Sequence, residues 1–214
     1  MFVANRMTPN PVTITPATTV ADASEIMRTN KFRRLPVVEN GKVVGIVTDR
    51  DLTEVSPSPA TTLSIFELNY LLAKMQVKDI MAKNIVTLNV NATIEEAALI
   101  MYNQKIGGLP VVDDNGAIVG IITETDIFKC IVDVMGLPSG TTRITIDVSN
   151  KVGVLHEITE VFTEMGINIS SLASYSLPDG TGEMVIRADI GNVKDLTAKL
   201  AAKGYPVRHV VKIG

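Results

Sequence analysis

Residues 35–51 read LPVVENGKVVGIVTDRD, and residues 109–126 read LPVVDDNGAIVGIITETD. Nothing else in the chain constrains its fold as strongly, because a repeat this long is a folding unit used twice. Matches upstream extend it. Thr19-Val20-Ala21-Asp22-Ala23 aligns with Thr93-Ile94-Glu95-Glu96-Ala97, and Met7 aligns with Met81. The offset is 74 residues for Met7/Met81, Thr19/Thr93 and Pro36/Pro110, and 75 for Gly45/Gly120 and Asp51/Asp126. One residue is therefore inserted in the turn between. Two copies in one chain can pair about a pseudo-twofold axis, with clefts between them.

Each copy predicts the same order of elements. In the first, residues 12–15 suggest a short strand ended by Pro16. Thr19 then caps a helix, with Asp22 three places on, and Val20, Ala23, Ile26 and Met27 form its buried stripe. The β-branched runs 35–38 and 43–47 predict strands joined by the turn Glu39-Asn40-Gly41-Lys42, and a short helix begins at Thr48 or Asp49. In the second copy Thr93 and Glu96 repeat the cap, Ile94, Ala97, Ala98 and Met101 the stripe, and Asp113-Asp114-Asn115-Gly116 forms the longer turn. Between the copies, Ser56-Pro57-Ser58-Pro59 breaks structure, and the apolar spacing of 63–75 predicts a helix that packs on the repeats or on a partner. A break at 135–140 separates a third region whose pattern is β-α-β-β-α-β, the ferredoxin-like order. The expected domains are 1–55, the linker and helix 56–76, 77–135, the linker 136–142, and 143–214. The fold class is α+β.

Composition narrows the function. The chain has 214 residues, 46% of them hydrophobic, with a formal net charge of −3. A mildly acidic chain lacks the positive field that nucleic-acid binding needs. No apolar run approaches the roughly 20 residues that span a bilayer. One cysteine, Cys130, precludes an intramolecular disulfide, and the first residues hold no apolar signal-peptide core, so the expected place is the cytoplasm. His156-Glu157-x-x-Glu160 lacks the second histidine of a zinc-protease motif, Cys130 sits in an apolar run as a buried filler, and no Ser/Cys-His-acid set presents itself. No catalytic residue, metal site or catalytic cofactor is expected.

Both copies end in Gly-apolar-apolar-Thr-x-x-Asp, as Gly45, Thr48 and Asp51, then Gly120, Thr123 and Asp126. Glycine admits a close backbone approach. Threonine at a strand-to-helix junction can bond a phosphate oxygen, and the free N–H groups of the helix start favour phosphate. The carboxylate can accept two bonds from a ribose diol. The same residues also fit plain N-caps with first-turn acids. The copies differ in charge. Lys31, Arg33, Arg34 and Arg50 in the first stand against Lys105, Gly107, Gly108 and Thr125 in the second. Those cations suit a polyphosphate or a solvated basic edge.

These motifs, in order and twice over, resemble CBS domains in tandem, a Bateman module, across roughly residues 1–135. The phrases Met7-Thr8-Pro9, Met81, Leu-Pro-Val-Val and Gly-Ile-Val-Thr-Asp-Arg-Asp carry the likeness. The resemblance implies an adenosine nucleotide (AMP, ADP or ATP) bound as a regulatory ligand in clefts between the copies. It implies that Thr48/Asp51 and Thr123/Asp126 hold phosphate and ribose, and that Thr13/Ile14 and Thr87/Leu88 line the base. Arg33, Arg34, Leu35 and Pro36 lie alongside, as do Gly108, Leu109 and Pro110. Thr125 fits the family phrase, and Arg50 departs from it.

Residues 143–213 resemble an ACT domain through the strand 144–148, the loop Asn150-Lys151-Val152-Gly153-Val154-Leu155 and Gly166-Ile167-Asn168-Ile169. That resemblance implies edge-to-edge pairing and an amino-acid effector at Asn150, Gly153, Val154, Leu155 and Asn168, although the family usually has aspartate where Asn150 stands. The whole order is similar to the acetoin-utilisation regulatory proteins of bacteria. The expected function is a non-enzymatic ligand sensor, a homodimer with a regulated protein partner. A dimerisation or docking module with empty clefts, and an amino-acid sensor, are the alternatives.

Overall fold

A computed structural model describes residues 1–55, 74–137 and 142–212. The inter-repeat helix expected over 63–75 lies almost wholly outside the described residues. The chain forms two compact units, Met1–Ile127 and Phe128–Gly214.

The first unit holds both copies. Copy one contains β1 (Thr8–Pro9), α1 (Val20–Asn30), β2 (Arg34–Glu39), β3 (Lys42–Thr48) and α2 (Asp49–Glu54). Copy two contains β4 (Leu88–Asn89), α3 (Ile94–Gln104), β5 (Gly108–Val112), β6 (Ile118–Thr123) and the start of α4 (Glu124–Val134). The expected caps form. Thr19 accepts from the Asp22 amide at 3.1 Å, and Thr93 and Glu96 make the reciprocal pair. The turn at Asn40-Gly41 takes positive φ at both residues, 51° and 79°, as a tight two-residue hairpin requires. In the longer turn Asp113 Oδ1 accepts from the amides of Asn115 and Ala117.

The strand expected over 12–15 shrinks to a single parallel bridge, Ile14 to Val37. Pro11 and Pro16 flank it, and a chain without N–H groups at both ends cannot continue a ladder. The equivalent β4 also runs only two residues, parallel to β5.

Each copy lends its lead-in segment to the other. β1 of copy one pairs with β6 of copy two, Thr8 opposite Ile121 and Pro9 opposite Gly120. In the reciprocal place Ile46 bridges Ala82. Val3 donates to Ala92 O and Ile94 to Met1 O, while Val77 donates to Thr18 O and Val20 to Met75 O. Val77 thus lies in the core of copy one with Ile14, Val20, Met27, Leu35, Val37, Val47 and Leu52. Burying one such side chain contributes about 1.5–3 kcal/mol. The exchange also explains the motif glycines. A Cβ on Gly120 would stand 2.2 Å from Met7 Sδ, and one on Gly45 2.3 Å from Met81 Sδ.

The second unit follows the expected β-α-β-β-α-β order: β7 (Thr142–Ser149), α5 (Val154–Glu164), β8 (Ile169–Ser176), β9 (Thr181–Ala188), α6 (Val193–Ala202) and β10 (Val207–Lys212). The antiparallel sheet has the order β10-β7-β9-β8. Ile144, Ile146, Met184 and Ile186 meet Ile158, Phe162, Leu196 and Leu200 of the two helices in its core. The alternate residues form rows across the other face: Arg143–Arg187–Ser171, then Thr145–Val185–Ala173, then Asp147–Glu183–Tyr175.

Candidate functional site: a cleft between the two copies

The exchanged strand builds a cleft. Once β1 has paired with β6, the chain after it runs past the start of α4, and Asn10, Pro11 and Val12 form one wall. α1 ends at Lys31, which takes the left-handed conformation at φ 57°, and this turns the chain sharply into Phe32, Arg33 and Arg34. Copy two supplies Gly107, Ile121, Thr123, Glu124 and Thr125. The enclosed volume is about 390 Å³, and Thr8 and Pro36 complete the described lining. That lies within the range of small-molecule sites, about 300–1,000 Å³.

Arg34 dominates the electrostatics. Its guanidinium crosses from copy one onto the glycine pair of copy two. A Cβ on Gly108 would stand 2.0 Å from Nη1, and one on Gly107 2.7 Å from Nη2. Arg34 and Gly108 are repeat equivalents, so the side chain present in one copy occupies the room left by its absence in the other. Nη1 is buried and makes no hydrogen bond. Burial pushes the Arg34 guanidinium below its ordinary range; Glu124 and Asp49 pull it back up and Arg33 pushes it further down. Glutamate 124 is the only carboxylate among the described lining residues, against Lys31, Arg33 and Arg34.

The Thr–Asp pairs act as caps in both copies. Thr48 donates to Asp51 Oδ2 from its amide and its hydroxyl, both at 2.8 Å, and Thr123 does the same to Asp126. Asp51 N donates back to Thr48 Oγ1 at 3.3 Å. Each threonine is therefore fixed at its strand-to-helix junction by its own acid, and each carboxylate keeps Oδ1 for a further donor.

Of the residues singled out in the sequence, Arg33, Arg34, Pro36, Thr123 and Thr125 line this cleft together, as does Lys31. Thr48 and Asp51 stand at the equivalent junction of copy one, where Arg50 pairs with Glu54 at 3.0 Å on the surface. Ile14, Leu35, Leu88 and Leu109 are buried core residues; Gly108 and Pro110 are buried too, and Thr13 and Thr87 are exposed. Sequence reasoning missed Thr8, Asn10, Pro11, Val12, Phe32 and Glu124. For Thr8, Asn10, Pro11 and Val12 the sole signal is the repeat offset of the lead-in segment, which does not say that the segment crosses to the other copy.

In the second unit Asn150 N donates to Gly180 O, Gly153 opens α5 at φ 95°, and Val154 is core, while Leu155 and Asn168 are exposed. A cavity of about 440 Å³ lies beside Asp147, Lys151, Glu183, Lys203, Tyr205 and Arg208, and none of those five candidates is in its described lining. Of the His-Glu-x-x-Glu phrase, Glu157 accepts from the Tyr205 hydroxyl and Glu160 pairs with Lys203. Both are structural ties. Among the described residues no group of histidine, cysteine and carboxylate side chains converges as a metal site, and no helix is long and apolar enough to cross a membrane.

Comparison with known proteins follows this geometry. The CBS domain matches twice, at residues 3–58 and 77–133, and the ACT domain matches at 142–203. Over 128 residues the chain is 38% identical to the uncharacterized protein MJ1225 of Methanocaldococcus jannaschii, covering 57% of this chain and 46% of that one, so it spans about half of that relative. Among solved structures, CBSX2 in complex with AMP aligns with a TM-score of 0.52 at 29% identity, covering 62% of this chain and 97% of that one. The CBS pair of MJ0100, in complex with 5'-methylthioadenosine and S-adenosyl-L-methionine, aligns at 0.52 and 27%, covering 62% and 97%. A Vibrio cholerae protein assigned to acetoin utilization (AcuB) aligns at 0.53 and 29%, covering 64% and 95%.

Proposed function

The chain belongs to the CBS-domain family, its two copies followed by an ACT domain, and from that premise we propose that it is a non-catalytic regulatory sensor of an adenosine nucleotide. The observation that carries the reading is the buried Arg34 Nη1, which has no partner beside a cleft that also holds Lys31, Arg33 and the capped start of α4. A buried N–H without an acceptor is costly, and against Lys31, Arg33 and Arg34 the described lining offers only Glu124, which leaves the cleft short of negative charge. A 5'-phosphate supplies that charge, and the N–H groups at a helix start favour the same group. AMP, ADP and ATP therefore fit better than a sulfonium such as S-adenosylmethionine, whose positive charge three cations oppose. Thr123, Thr125 and Asp126 of copy two would hold phosphate and ribose. The cleft has walls from both copies, so a bound nucleotide fixes their relative arrangement, and a ligand that prefers one arrangement shifts its population.

The likeness to an acetoin-utilization protein supports a role in that branch of carbon metabolism, in the cytoplasm, with a regulated protein partner. The outer edges of the ACT sheet, β8 and β10, favour a homodimer.

Thermal melting against AMP, ADP, ATP, NAD and S-adenosylmethionine tests the proposal. A ligand at 100 times its dissociation constant stabilises by about 2.7 kcal/mol, or roughly 5–10 °C for a chain of this size. Phosphate-bearing adenosines raise the melt and S-adenosylmethionine does not. Silence from all three nucleotides removes the sensor reading and leaves the docking module.

A further inference from the structure

We infer that Arg187 and Arg143 form a binding site for a small oxyanion, a carboxylate or a phosphate group, on the sheet face of the C-terminal unit opposite α5 and α6. The site is separate from the nucleotide cleft and does not rest on that reading.

Arg187 is 5% exposed, and its Nε and Nη1 are buried with no hydrogen-bond partner. Directly opposite on β7 stands a second arginine, Arg143, whose Nη1 donates to Thr145 Oγ1 at 2.7 Å. Like charges directly opposite on one sheet face repel, and a buried guanidinium without a counter-charge is costly. The acids of this face cannot relieve it. The backbones of Asp147 and Glu183 lie two rows from those of Arg143 and Arg187, about 13 Å along the strands, and both carboxylates are engaged by Arg208. Among the described residues of this face the row is therefore a pair of cations with no anion opposite them. Planar N–H donors match a carboxylate or a phosphate.

The surroundings define size and access. Thr145 and Val185, both buried, floor the neighbouring row. Ser171, opposite Arg187 on β8, donates to Met135 O at 3.0 Å. The turn that follows α4 lies directly above. A Cβ on Gly136, at φ 66°, would stand 2.5 Å from Ser171 Oγ and 3.4 Å from Arg187 Cδ. The close approach of that turn limits the site to a small anion, and the Ser171–Met135 bond would have to give way to admit it. The turn continues α4 (Glu124–Val134).

The test is thermal melting of the full chain in about 50 mM inorganic phosphate or malonate, against chloride at equal ionic strength, which screens long-range charge equally. At least one anion raises the wild-type melt by about 5 °C. Arg187→Met, which removes an uncompensated charge, melts no lower than wild type in chloride and gains nothing from either anion beyond the general effect of excluded salts. Arg143→Met, at a less buried position, loses most of the gain as well. Arg34→Met keeps the part of the gain that Arg187→Met loses, which separates this site from the nucleotide cleft. Phosphate alone or malonate alone being active identifies the oxyanion. Absence of any wild-type gain, a full gain in Arg187→Met or Arg143→Met, or loss of the whole gain in Arg34→Met overturns the site.

Discussion

Copy one and copy two share backbone, caps and the Gly-x-x-Thr-x-x-Asp phrase, yet at one pair of equivalent positions they are opposites. Copy one presents Arg33-Arg34 where copy two presents Gly107-Gly108. Near a pseudo-twofold axis equivalent side chains meet, and two arginines there would collide and repel. The structure resolves this by loading one copy and emptying the other, so that the Arg34 guanidinium rests on Gly108. Among the described residues the duplicated fold thereby offers a strongly cationic cleft. Asymmetry between repeats is here a property of the pair, and neither sequence alone contains it.

The comparison can be broken most severely by restoring symmetry. Gly108→Arg brings a second guanidinium into space already filled by Arg34. The expected loss is about 3 kcal/mol of stability in the first unit, combining overpacking with like-charge burial, read by urea denaturation. A variant as stable as wild type would show that the glycine is not making room. The next effect is on ligand affinity. Lys31 lines the cleft, whereas its equivalent Lys105 lies over the Tyr102 ring, 4.3 Å from the centroid. Lys31→Met weakens nucleotide binding about tenfold, near 1.4 kcal/mol, while Lys105→Met changes it by less than about threefold, as calorimetric titration would measure. Equal losses would remove the distinction between the two lysines.

The smallest effect concerns the first long helix of each copy. At Thr19 the described bond is the forward one from Asp22 N, while Thr93 and Glu96 make both. Bonds from the Thr93 amide, then from its hydroxyl, hold the Glu96 carboxyl below the usual glutamate range. A depressed folded pKa contributes stability above the unfolded value, about 4.3, and that contribution is lost as pH falls through the lower folded value. Carboxyl titration by NMR should place Glu96 below that value, and Thr93→Ala should bring it back. An unchanged Glu96 titration in that variant would remove the asymmetry between the caps.

Local features were legible in the sequence because their signals are local. Thr19, Thr93, Asn40-Gly41 and Asp113 each act within a few residues, and each was readable from spacing. The six-element order of residues 142–212 was legible for the same reason, since alternation and helical stripes repeat within one element. What escaped was non-local. That Val77 enters the core of copy one, or that Asn10 to Val12 wall a cleft facing Thr123, depends on which copy a lead-in segment joins. The repeat pattern is the same for either choice. The charge difference at Arg33-Arg34 was visible, but its fit to Gly107-Gly108 exists only across the axis. Arg187 occupies an ordinary alternating position in its strand, and its isolation appears only once Gly136 lies above it.

The traded lead-in segments have a consequence for how the chain reaches its native state. Val3 meets Ala92 and Val77 meets Thr18, so each copy is finished by a strip of backbone from outside its own stretch of sequence. Contacts of such span close late and slow the search. During synthesis the first copy must wait, with part of its core open, until the ribosome has delivered the start of the second. The two copies are thus one indivisible piece, and a cut between them would leave two halves that each lack a part held by the other.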